Sequence, residues 1–146
     1  MHRWLRLLGL ISFWSYLASL VVLGLFGLLA PGLELGTLYD LRLDSLDPEA
    51  QATLLHQYRF LKVFVLGIAA FAWIFRRQIF EQTLYKGLFL AVLFGAAGAR
   101  LLSLLADGEP HRLLISFTAS EFVFGILIAF GLRTGGQTDL SERTES

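Results

Sequence analysis

Four long apolar runs, separated by short polar segments, leave this chain few ways to fold. They cover about residues 7–30, 58–77, 84–106 and 113–132. A hydrocarbon core about 30 Å thick is crossed by ~20 helical residues. Inside lipid, every backbone N–H and C=O must find its partner within a helix or a closed barrel. The runs lack the alternation of barrel strands, so they read as helices. The purely apolar part of the second, Phe60 to Phe75, is short, but Tyr58, Arg59, Arg76 and Arg77 can snorkel at its ends. The expected fold is all-α: an integral membrane four-helix bundle over residues 1–133, with an outer-side loop between spans one and two. Residues 134–146 are expected to form a disordered cytoplasmic tail.

Composition agrees. Hydrophobic residues make up 55% of the 146 residues and charged residues 16%, whereas soluble domains carry about 25% charged residues. A net charge of zero excludes a strongly basic nucleic-acid binder. Without cysteine there is no disulfide, thiolate nucleophile or Cys-ligated metal. His2, His56 and His111 lie outside the apolar cores, so the spans offer no bis-histidine haem site. HExxH, DxxD, GxSxG and glycine-rich phosphate loops are missing, and Gly95-Ala-Ala-Gly98 falls inside a span. No catalytic residue, metal site or cofactor is assigned, and the chain reads as a non-enzyme.

The first run follows a basic start, Met1-His-Arg-Trp-Leu-Arg6, but exceeds the 7–15 residues of a signal peptide's apolar region and lacks an Ala-x-Ala site. It reads as a retained anchor helix. Arg3, Arg6, Arg76, Arg77, Lys86 and Arg133 gather on one side, facing the acidic loop with Glu34, Asp40, Asp44, Asp47 and Glu49 on the other. The positive-inside rule then places both termini in the cytoplasm. Asp47-Pro48-Glu49 is a helix start, with an N-cap acceptor and proline at the first helical position. One helix is expected from about Pro48 to Arg77. Leu38 to Leu46 reads as a short element on the outer membrane surface, extended or a helical turn.

Gly87, Ala91, Gly95 and Ala99 repeat every four residues along span three, a smooth ridge for close helix approach. Gly24 and Gly27, Gly67 and Ala70, and Gly125 and Ala129 offer similar surfaces. Packing within the bundle is the expected use.

Two ionisable residues interrupt the third and fourth runs. Arg100 precedes the end of span three, and Glu121 lies inside the stretch Leu113 to Gly131. Each costs ~2.5–3.5 kcal/mol in a span centre. The turn Asp107-Gly-Glu-Pro110 makes the two helices antiparallel neighbours, with Arg100 ~9 Å and Glu121 ~12 Å deep at 1.5 Å per residue. A direct ion pair is expected. Arg59, Lys62 and His56 at the start of span two, Ser103 and Asp107 on the Arg100 face, and Thr118 one turn before Glu121 share the outer half. The eight residues suggest a polar vestibule open outward and closed by apolar packing below. Two readings stay open: a pair that only fixes helix register, with snorkelling neighbours, or a ligand pocket.

Gly98-Ala-Arg-Leu-Leu-Ser-Leu-Leu-Ala-Asp-Gly-Glu-Pro110 followed by Glu121-Phe-Val-Phe-Gly125 resembles a family of small bacterial inner-membrane proteins of unknown function with four spans. The likeness extends to Ala30-Pro31 and Leu46-Asp-Pro-Glu-Ala50, but Tyr58-Arg-Phe-Leu-Lys62 replaces that family's Tyr-Gly-Gly pattern. The architecture is also similar to DoxX-like membrane proteins, some of them associated with quinone-linked redox chemistry. The resemblance implies a bacterial inner-membrane location and no established substrate. The expected function is binding of a small amphipathic or anionic ligand, a lipid headgroup or quinone, in the vestibule. The alternative is an accessory or assembly subunit with a membrane-protein partner and a purely structural Arg–Glu pair.

Overall fold

A computed structural model of the chain describes residues 2–133; the tail from 134 lies outside the described residues. Six α-helices and one 3-10 turn, with no strand among the described residues, make up the fold: α1 His2–Leu29, α2 Pro31–Tyr39, α3 Pro48–Ile74, α4 Arg76–Glu81, α5 Thr83–Asp107 and α6 Arg112–Arg133. The 3-10 turn, Leu43–Ser45, lies between α2 and α3. Helices α1, α3, α5 and α6 are long and apolar enough to cross a membrane. Their outward faces carry exposed Val22, Leu25, Phe60, Phe64, Leu102 and Val123. Water would penalise such a surface and lipid does not, so the chain is a multi-pass membrane protein.

Helix α1 is the hub. It packs broadly against both α3 and α6, α5 packs against α6, and α3 makes no broad contact with α5 or α6. The start of α1 and the end of α6 meet at one end of the bundle, called here the terminal end, where Gly9 approaches Gly131; α2 and the α5–α6 turn mark the loop end. The core fills the terminal half: Phe13, Tyr16 and Leu17 of α1 meet Ala69 and Ala72 of α3, Phe89 and Leu93 of α5, and Ile128 and Leu132 of α6. Edge contacts of Phe13 with Phe80 (5.2 Å) and Tyr16 with Phe89 (6.4 Å) lock these layers.

Two features depart from expectation: the helix that restarts directly after the expected end of span one at Ala30, and a break at Phe75. Proline disfavours helical geometry at the residue before it, and Ala30 leaves the helix at φ −133°, ψ 59°. The chain restarts at once as α2, burying Pro31, Glu34 and Leu35 on one face. The expected loop is therefore largely helical. The helix begun at Asp47, whose Oδ1 accepts from the Glu49 and Ala50 N–H groups at 3.0 Å, does not run on to Arg77. It breaks at Phe75, where Arg76 donates to the Trp73 carbonyl at 2.9 Å. The break turns Ile79 of α4 fully into the core.

Of the small residues, Gly24, Gly27 and Gly125 face neighbouring helices closely, as expected, whereas those of span three do not. The ridge Gly87, Ala91, Gly95 and Ala99 is exposed, because α5 buries Phe89, Leu93 and Ala97 instead. The tightest crossing is between α1 and α6: a Cβ on Gly9 would stand 2.7 Å from the Gly131 Cα. Gly9→Leu is expected to lower bundle stability by more than ~2 kcal/mol through overpacking, whereas Gly95→Ala, with open space around it, is expected to change it by no more than ~1 kcal/mol. Thermal unfolding in mild detergent distinguishes them; equal effects would place the crossing elsewhere.

Candidate functional site

Among the described residues, the most deeply buried ionisable side chain is Glu34, on the first turn of α2, with no solvent exposure. Its Oε1 accepts from Lys62 Nζ of α3 at 2.8 Å, and Lys62 also donates to the Leu23 carbonyl of α1 at 3.2 Å. Lys62 keeps only 9% of its side chain exposed, and its ammonium stands 4.8 Å from the Tyr58 ring centre. A Cβ on Gly27 of α1 would collide with both Glu34 Oε2 and the Lys62 stem, so glycine is what lets the pair close. The Tyr58 hydroxyl lies near Glu34 and Tyr39 but is aligned with neither for a hydrogen bond. Burial lifts the Tyr39 phenol above its ordinary pKa, with the Glu34 carboxylate adding to the rise.

A second pair joins α5 to α6. Arg100 Nε lies 3.1 Å from Glu121 Oε2, the contact that depth and turn geometry predict. The approach is an ion pair by distance without hydrogen-bond alignment. Glu121 is 13% exposed and Arg100 41%. A guanidinium carries five N–H donors, and those beyond Nε meet no acceptor among the described residues. Arg100 lines a cleft of about 430 Å³ between the loop-side halves of α5 and α6, together with Leu104, Pro110, Leu114, Thr118 and Phe122.

The eight expected site residues thus separate. Arg100, Ser103 and Thr118 line the cleft, and Glu121 anchors Arg100. Ser103 donates to Asp107 at 2.7 Å at the rim, and Thr118 donates to the Leu114 carbonyl at 2.9 Å. Lys62, Arg59 and His56 stay on α3, away from that cleft: Lys62 turns inward to Glu34, while Arg59 and His56 are exposed. Glu34 escaped the sequence reading, which grouped it with the acidic loop. The available signal was Pro31 as a helix start with Leu35 and Leu38 placing Glu34 on an apolar face, and a Lys62 without a partner in its own span.

A protein-family model covers residues 9–132, nearly all the described chain. The chain belongs to DUF4345, a family defined as a domain of unknown function. No curated protein and no solved structure matches it.

Removing one partner of a buried pair leaves an uncompensated charge, at about 3–5 kcal/mol. Lys62→Met alone is expected to destabilise the bundle by that order, and adding Glu34→Leu to recover most of the loss in detergent unfolding. Additive losses would exclude direct coupling. For the second pair, Arg100→Glu combined with Glu121→Arg is expected to express better than either single change; expression no better than the weaker single would break the pairing.

Proposed function

We propose that this protein is a non-enzymatic receptor for a small amphipathic or anionic ligand, a lipid headgroup or quinone, held in the α5–α6 cleft. The observation that carries the reading is Arg100: a guanidinium half-exposed in a mostly apolar cleft, with donors left over beside Glu121. Glu121 supplies a counter-charge beside Nε. The remaining donors offer a fork to a carboxylate, phosphate or carbonyl oxygen. Leu104, Leu114 and Phe122 would receive the ligand's apolar part, in a volume typical of small-molecule sites. The reading places the protein in a bacterial inner membrane with both termini cytoplasmic, on the charge bias of its loops. The cleft then faces the outer leaflet. The likeness to DoxX-like proteins is one of architecture and favours a quinone only by analogy.

A second reading is supported by the exposed ridge Gly87, Ala91, Gly95 and Ala99, which suits close packing against another helix. In that reading the protein is an accessory subunit and Arg100–Glu121 is structural.

Mass spectrometry of organic extracts from protein purified in mild detergent separates the two. The ligand reading expects a co-purifying acidic amphiphile or quinone that Arg100→Gln removes while the protein stays folded. A ligand-free wild-type extract, or one that Arg100→Gln leaves unchanged, overturns it. A stoichiometric protein partner without a small molecule supports the subunit instead.

A further inference from the structure

We propose that the groove between α3 and α5 is a separate lipid site, taking one acyl chain of an anionic phospholipid whose phosphate is held by Arg59. The groove encloses about 540 Å³ and is walled by Val63, Gly67 and Phe71 of α3 and Leu88, Phe89 and Val92 of α5, with almost no polar surface. It exists because α3 and α5 both lean on other helices and make no broad contact with each other. Gly67 has nothing within 4 Å of where a Cβ would stand, so the missing side chain opens the floor.

The groove continues toward the loop end. On α5, Gly95 and Ala99 follow Leu88 and Val92 on the same helical face, and both are exposed. On α3, Arg59 lies one turn beyond Val63, exposed and in no ion pair among the described residues. The 15 residue-to-residue steps from Arg59 to Ile74 rise ~22 Å. A snorkelling arginine there reaches the phosphate level of a core about 30 Å thick. His56, a turn further out and also exposed, extends the polar mouth. A cation directly above an apolar slot complements an anionic lipid: charge at the mouth, hydrocarbon below. A free phosphate would leave the slot unused. The site does not rest on the α5–α6 cleft.

Delipidated protein in detergent, offered equal amounts of phosphatidylglycerol and phosphatidylcholine with identical acyl chains, tests it by native mass spectrometry. Wild type is expected to retain phosphatidylglycerol with about fivefold preference, the scale of one basic residue at an anionic surface. Arg59→Gln, a change on an exposed face, is expected to keep a lipid but lose the preference. Gly67→Leu is expected to retain much less of either lipid, and its better helix propensity favours folding. Repeated on Arg100→Gln protein, which lacks the cleft's anion contact, the comparison is expected to keep the preference that depends on Arg59; its loss there would assign the anionic lipid to the cleft instead of the groove. Equal retention of both lipids by wild type overturns the proposal, as does undiminished lipid on Gly67→Leu. A Gly67→Leu change that alters oligomeric state and not lipid content would assign the groove to a second copy of the chain.

Discussion

The Lys62–Glu34 pair organises the loop-side half of this protein. Both groups are buried, and the cost of burying each charge alone is several kcal/mol. Their shared contact, with the Leu23 carbonyl as a second acceptor, makes the burial tolerable. For the contact to exist, the chain after Ala30 must fold back, which Pro31 begins, and α1 must present no side chain at position 27. The position of α2 against α1, α3 and α6 follows from meeting both conditions.

The consequence is a bundle divided along its axis. The terminal half is sealed by phenylalanine, leucine and isoleucine, with α4 folded under as a plug. The loop-side half holds both ion pairs. A polar path from one end to the other would need charged or hydroxylated groups in the sealed half, and the core there is apolar and aromatic apart from Tyr16 and Ser12. The cleft and the groove open sideways between helices. That geometry suits amphiphiles arriving from the bilayer better than ions crossing it, and it underlies both proposed sites.

Some of this was legible before any coordinates. The Asp47-Pro48 cap was readable because capping is local: the acceptor and its N–H donors are two and three residues apart. Arg100–Glu121 was readable because a turn too short for any other arrangement makes α5 and α6 neighbours, and helical rise then converts residue counts into depth. The Phe75 break was not legible, since no proline or glycine marks it and its cause is the fit of Ile79 in a core built by other helices. The α5 ridge misled for a related reason. Small residues show where a helix could be approached closely, and nothing in their spacing says whether a partner comes.

Hydropathy, span lengths and the two intramembrane charges on α5 and α6 were enough to dictate a membrane-spanning helical bundle with one neighbouring ion pair, because each depends on interactions within a helix or across one tight turn. Which helix serves as hub, where α2 goes, and which lysine meets which glutamate were decided only in three dimensions. Glu34 and Lys62 are separated by a helix break and a loop, so their meeting depends on how α1, α2 and α3 pack. That packing is a sum of many small contacts spread over the whole bundle, and no local stretch of residues encodes it.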